Sequence, residues 1–145
     1  MDMNAAPFGA APPQGPQTGT TIMAVAYDGG VIMGADSRVS TGSYVANRVS
    51  DKVSQLHDRI FMCRSGSAAD TQAISDHVRH TLASHAIECG KAPLVKTAAT
   101  RAAQTVYHNK QLLAGVIVAG HDENGGQVYV VPLGGASKRA PPSSP

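Results

Sequence analysis

Thr18-Gly19-Thr20-Thr21-Ile22-Met23-Ala24-Val25 places a Gly-Thr junction directly ahead of an alternating apolar run. A threonine hydroxyl is a poor nucleophile because no neighbouring side chain in this stretch can take its proton. Scission of the Gly19–Thr20 bond changes that: the freed α-amino group of Thr20, with a reference pKa of about 7.7–8.0, becomes a base beside its own hydroxyl. Gly19 suits such a cut, since it lets another group approach the backbone closely. The same Gly-Thr-Thr sequence also serves as a plain turn ahead of a strand, and the residues around it have to decide between the two.

Outward from this junction, Thr21 to Tyr27 and Val31 to Ala35 read as strands joined by Asp28-Gly29-Gly30, a hairpin signal. Ile22, Ala24 and Ala26 face one way and Met23, Val25 and Tyr27 the other, so this strand is expected to be covered on both sides. Asp36 to Tyr44 is polar and reads as a loop. Val45 to Val53 is mixed, with room for a short extended piece. Arg59 to Arg64 reads as a strand in a hairpin with the residues before Asp58. Ser65-Gly66-Ser67 is expected to end that strand and start a helix, with Ser67 and Asp70 as a capping box using the shorter acid. Ile74, Val78 and Leu82 fall at helical spacing, and this helix should fade before Gly90. Pro93 opens a second helix, whose stripes Leu94, Ala98, Ala102, Val106 and Val95, Ala99, Ala103 are small enough for close packing. Leu113 to Ala119 and Gln127 to Val131 return to strand across a polar turn, His121 to Gly126. Strands, two helices, then strands predict an α+β fold with the helices grouped on one face of a sheet.

The chain has 145 residues, which suggests one domain. A net charge of +2 gives no basis for nucleic-acid binding or membrane steering. No run approaches the 18 or so apolar residues of a membrane span. Cys63 and Cys89 lack metal-ligand spacing and form no disulfide framework; Cys63 reads as a small buried hydrophobe in a reducing compartment. Residues 1–19, with Pro12, Pro13 and Pro16, lack the basic start and apolar centre of a secretory signal. They read as a disordered leader, either a floppy terminus or a propeptide that masks Thr20. Residues 136–145 read as an irregular tail.

Three further positions bear on Thr20. Asp36 ends the second strand of the first hairpin and so returns near the start of the first. Lys52 would disfavour the charged form of a nearby amine and lower its pKa, which suits a base working near neutrality. Gly66, just ahead of the helix, can present its N–H to a developing oxyanion. Each has a plain alternative: Asp36 as a turn cap, Lys52 as a solvated charge, Gly66 as the glycine of a tight strand-to-helix turn.

Taken together and in order, Thr20-Thr21-Ile22-Met23-Ala24-Val25, Gly34-Ala35-Asp36-Ser37-Arg38, Asn47-Arg48-Val49-Ser50-Asp51-Lys52 and Arg64-Ser65-Gly66-Ser67-Ala68-Ala69-Asp70 closely resemble proteasome β subunits. The likeness runs from about Gly19 to Gly135. Tyr44-Val45-Ala46-Asn47-Arg48 and His57-Asp58-Arg59-Ile60-Phe61 are similar to the subtype of caspase-like specificity, the β1 type (β type-6). The resemblance implies an N-terminal-nucleophile hydrolase fold, an αββα sandwich of antiparallel sheets. It implies a threonine endopeptidase needing no metal or other cofactor, with residues 1–19 removed by cleavage between Gly19 and Thr20. Thr20 would be the nucleophile, Lys52 would tune its amine and hydroxyl, Asp36 would hold Lys52, and the Gly66 N–H would serve the oxyanion hole. Arg64 would line the primary specificity pocket and favour cleavage after acidic residues. Val39, Ser40 and Thr41 match the strand that in this family pairs with the substrate backbone, the substrate being the added strand. Implied partners are other proteasome α and β subunits in stacked rings and unfolded polypeptide substrates, with neither nucleic acid nor membrane. The implied setting is ubiquitin-dependent protein breakdown in cytoplasm and nucleus.

The likeness stops after Gly134-Gly135. Proteasome β subunits continue with another strand, a glycine- and serine-rich turn and a second pair of helices, including an aspartate and serines that complete the threonine site. Here Ala136 to Pro145 follow, and Ser143 and Ser144 do not match those serines. The expectation is a sandwich without its second helical layer and last strands, with one uncovered apolar face, unpaired edges, and impaired folding or activity. An alternative function follows: an inactive β-like protein that only affects particle assembly. Intact Thr20, Asp36 and Lys52 favour the protease, while the missing half favours the alternative. An unrelated α+β binding domain would require all four matched segments to be coincidence.

Overall fold

The computed structural model describes residues 17, 18, 20–41, 44–47 and 49–141. Among these, ten strands and two helices form two antiparallel sheets with both helices on one side. The smaller sheet is the hairpin of β2 (Ile22–Tyr27) and β3 (Gly30–Ala35), in register from Ile22↔Ala35 to Tyr27↔Gly30. Asp28-Gly29 makes its turn, with Gly29 at φ +103°, a conformation open to glycine at little cost.

The larger sheet has eight strands. Its centre is β7 (Ile60–Ser67), paired along its length with β8 (Ala114–Asp122), which pairs in turn with β9 (Gly125–Val131). On the other edge of β7 lie β6 (Val53–His57) and then the two-residue β1 (Gln17–Thr18). β1 also pairs with β4 (Val39–Thr41), which pairs with β5 (Tyr44–Asn47). β10 (Lys138–Arg139) adds to β9.

Several sequence expectations change here. Val39–Thr41 is a strand where the polar composition predicts loop. β7 runs through Ser65-Gly66-Ser67 because β8 and β1 pair with it on either edge. Gln17–Thr18 and Lys138–Arg139 are short strands within segments read as irregular, each held by pairing to a distant part of the chain. The β8–β9 turn narrows to Glu123-Asn124.

Helix α1 (Ala68–Cys89) starts at Ser67, whose hydroxyl accepts from the Asp70 N–H at 3.4 Å, and ends at Gly90 in the left-handed region, φ +66°. Thr71, Ile74, Ser75, Val78 and Leu82 form its buried stripe. Helix α2 (Val95–His108) has Leu94 as N-cap, so Pro93 precedes the helix rather than opening it. Its cap comes from β8: the Asp122 carboxylate accepts from the Val95 N–H at 2.8 Å. The small stripe Ala98, Ala99, Ala102 and Ala103 is buried, as its composition predicts. These faces close on Leu56, Ile60, Met62, Val116, Val118 and Val131 to form one core, in which each fully buried aliphatic side chain contributes about 1.5–3 kcal/mol.

On the opposite face of the large sheet lies the β2–β3 hairpin, against β7, β8 and β9. The two sheets approach so closely that a Cβ at Gly126 would collide with the Gly30 carbonyl. Ile22, Ala24 and Ala26 turn inward, but Met23, Val25, Tyr27 and Ile32 are 54, 41, 50 and 61% exposed. The expectation of cover on both faces therefore fails among the described residues, and the outer face of the hairpin is open.

Candidate active site

The residues singled out by sequence converge at one end of the two sheets. The hairpin register sets Ile22 opposite Ala35, so the residues just outside it, Thr21 and Asp36, meet. The Asp36 N–H donates to the Thr21 carbonyl at 3.1 Å, and the Thr21 N–H donates to Asp36 Oδ1 at 3.2 Å. Asp36 thus abuts the residue after Thr20, as the hairpin geometry requires. The Arg38 N–H donates to Asp36 Oδ2 at 3.2 Å, a local turn bond that fixes the carboxylate's second oxygen.

Lys52 enters from the segment ahead of β6 and is only 2% exposed. Its Nζ donates to Asp36 Oδ1 at 2.9 Å and to the Arg38 carbonyl at 2.6 Å. A buried ammonium needs such partners, because taking an unpaired charge out of water is costly. The bond from Lys52 holds the Asp36 carboxyl below the usual aspartate value; partial burial opposes this, and the Thr21 and Arg38 N–H groups add to it. The Lys52 carbonyl accepts from the Arg64 N–H at 2.9 Å, which ties this segment to β7.

Arg64 lies on the helix side of β7, opposite Val116. Its guanidinium donates through Nη1 to Gln72 Oε1 of α1 and through Nη2 to the Asp51 carbonyl at 2.7 Å. Gly66 has φ +110°, and a Cβ there would collide with the Leu113 carbonyl oxygen, so this position accepts only glycine. Thr18 lies opposite Gly66, and Gln17 lies opposite both Ser67 and Ser40. The two residues ahead of Gly19 therefore form a strand between Val39–Thr41 and the end of β7. Gly19, the proposed cleavage residue, lies outside the described residues, and Thr20 is half-buried at the entry to β2.

A family model described as "Proteasome subunit" matches residues 16–142. A "Proteasome subunit beta type-6" of Dictyostelium discoideum is 58% identical over 85% of this chain and 58% of its own length. The chain belongs to the proteasome β-subunit family. A "Proteasome subunit beta type-1" of Saccharomyces cerevisiae is 53% identical over 85% of this chain and 58% of its own length. A "Proteasome subunit beta type-9" of Mus terricolor is 53% identical over 86% of the chain and 57% of its own length. The chain thus spans less than three fifths of these relatives. Two antiparallel sheets with helices on the outer face of one give the β-subunit's α+β sandwich, in line with the N-terminal-nucleophile hydrolase fold.

Within this β-subunit fold the structure brings Asp36, Lys52 and the backbone next to Thr20 together, with Arg64 and Gly66 at the neighbouring end of β7. Sequence reasoning missed the Arg38 carbonyl, for which no side-chain signal exists. It also missed Gln72 as a partner of Arg64, although the helix start at Ser67 places Gln72 on the second turn of α1. No group of three or more metal-ligating side chains occurs among the described residues. None of the described helices is long and apolar enough to cross a membrane.

Proposed function

We propose that this chain is a threonine-type endopeptidase subunit of a proteasome core particle, cleaving after acidic residues, with Thr20 as its nucleophile. The observation that carries this reading is the buried Lys52 ammonium, held between Asp36 and the Arg38 carbonyl, one residue from Thr20 along the Asp36–Thr21 bonds. After scission of Gly19–Thr20, the Thr20 amine takes the proton from its own Oγ as Oγ attacks the scissile carbonyl. The Lys52 charge disfavours protonation of that amine and keeps it a working base. The Gly66 N–H faces the developing oxyanion. Collapse returns the proton to the leaving amine and leaves an ester on Thr20, which water then hydrolyses.

Arg64 serves the acidic side chain of the substrate by charge-assisted hydrogen bonds, its fork already aimed by Gln72 and the Asp51 carbonyl. Pairing of Gln17–Thr18 with β4 supports the assignment of Val39, Ser40 and Thr41 to the substrate strand, since the chain's own backbone uses that edge. Partners are the other α and β subunits of stacked rings and unfolded polypeptide, in ubiquitin-dependent breakdown in cytoplasm and nucleus. A second reading, an inactive β-like protein that acts in assembly alone, draws on the open apolar face of the hairpin.

The test is turnover of acidic and neutral peptide reporters by particles isolated with this chain, with its N-terminus sequenced. The protease reading expects Thr20 as first residue, loss of acidic-reporter turnover in Thr20→Ala, and a fall of about 10²-fold or more in Lys52→Met. Arg64→Leu should lower turnover of the acidic reporter while sparing the neutral one. Particles that carry the chain with its leader intact and turn over neither reporter would establish the assembly reading.

A further inference from the structure

Helix α1 grips a loop that no sequence motif connects to it. In a capping box the acid at the third helical position reaches back to the N–H of the N-cap residue. Asp70 occupies that position but does something else. The Ser67 N–H donates to the Leu113 carbonyl at 2.8 Å, and the Asp70 carboxylate accepts from the Leu113 N–H at 3.1 Å. Both backbone polar groups of Leu113 are therefore held by the first turn of α1, 43 residues away along the chain. The Leu113 side chain is 54% exposed, so the backbone is what is anchored, while Ala114 next to it is completely buried.

This grip bears on Gly66. The Leu113 carbonyl oxygen lies where a Cβ on residue 66 would stand, and Gly66 pairs with Ala114 across the β7–β8 ladder. The backbone at 66, at φ +110°, is seated flush against that carbonyl. The Leu113 carbonyl holds the 66–67 peptide through the Ser67 N–H and bears on the Gly66 Cα. Movement of Leu113 would therefore free that Cα to shift and turn the 65–66 peptide that carries the Gly66 N–H. An oxyanion donor works through fixed aim, because a donor that must reorient during the reaction loses much of its effect. A carboxylate in the first turn of a helix also sits favourably in the helix dipole, so Asp70 is stable where the grip needs it.

We propose that Asp70 is a positioning residue for the oxyanion donor: through Leu113 it fixes the aim of the Gly66 N–H. This rests on the protease reading of the site. The role makes a specific demand on the side chain. Asp70→Asn keeps an acceptor of the same length for the Leu113 N–H, whereas Asp70→Ala removes it.

The experiment uses particles carrying the chain as wild type, Asp70→Ala or Asp70→Asn. It measures kcat and KM on the acidic reporter, inhibition by a peptide boronate that mimics the tetrahedral state, and inhibition by the matching uncleaved peptide. Amide hydrogen exchange at Ser67 and Leu113 is read in the same particles. Loss of a whole oxyanion donor costs about 10²–10³ in kcat, and loss of its aim should cost part of that, about 10- to 100-fold. Asp70→Ala is expected to lower kcat by this factor at nearly constant KM. It should weaken the boronate by a similar factor while leaving the matching peptide unchanged, and should speed exchange at Leu113 and Ser67. Asp70→Asn is expected to recover most of the kcat. Unchanged exchange in Asp70→Ala, or equal weakening of boronate and matching peptide, overturns the positioning role while the protease reading stands. Wild-type particles that turn over nothing overturn the protease reading and, with it, this one.

Discussion

On the helix side of the large sheet, Met62, Val78, Leu82, Ala98 and Val118 are completely buried, whereas the outer face of the β2–β3 hairpin leaves Met23, Val25, Tyr27 and Ile32 largely in contact with solvent. Both surfaces are built from apolar side chains at regular spacing, and that spacing alone does not rank them. What separates them is a partner layer: the helices supply one for the large sheet, and among the described residues the hairpin has it on its inner face alone. The candidate site draws on both regions, with Asp36 at the end of the hairpin, Lys52 just ahead of β6, and Arg64 and Gly66 on β7 of the helix-backed sheet. Stability and chemistry are thus distributed unevenly. The helix side supplies the buried frame, and the hairpin begins next to Thr20.

The sharpest way to break this comparison is to cut a side chain on each face. Leu82→Ala opens a cavity in the helix-backed core and should cost about 2–5 kcal/mol in chemical denaturation. A loss below about 1 kcal/mol would mean that the helix layer is loosely packed and the contrast between the faces is overstated. A smaller effect belongs to the seam between the regions. The Asp36 carboxyl sits below its ordinary value in the folded chain, so its pairing with Lys52 contributes stability above the unfolded aspartate pKa of about 3.9. That contribution fades as pH falls below this value and through the folded one. Asp36→Asn should therefore flatten the acid limb of a stability profile, and an unchanged limb would show that the seam bears no such load. The smallest effect is expected on the open face. Met23→Ser with Ile32→Thr should shift denaturation by no more than about 0.5 kcal/mol per site, while reducing self-association in sedimentation. A loss comparable to that of Leu82→Ala would show that the hairpin face is covered in the folded protein.

The sequence made the local features of this fold legible. Asp28-Gly29-Gly30 announced its hairpin, Ile74, Val78 and Leu82 their helix face, and Asp36 its place beside the start of β2. Features set by distant pairing were not legible. By composition Val39–Thr41 is too short and polar to read as a strand, and only the family resemblance points to one there; Gln17–Thr18 becomes a strand only between β4 and β7. Asp122 caps α2 from a strand 27 residues away, and Asp70 passes over its own N-cap to hold Leu113. In each case the residue type was visible, but its partner was fixed by the fold.

The short strand at Gln17–Thr18 also sets a gauge. Neighbouring strands lie about 4.8 Å apart, so under the proposed removal of residues 1–19 the edges of β4 and β7 would face each other across roughly twice that distance. A gap of that width seats one extended chain with hydrogen bonds on both sides. A helix, about 10–12 Å across with its side chains and with its backbone groups already paired, finds neither room nor partners there. On the proposed protease reading, the width of one missing strand would admit a polypeptide only after it has lost its folded shape.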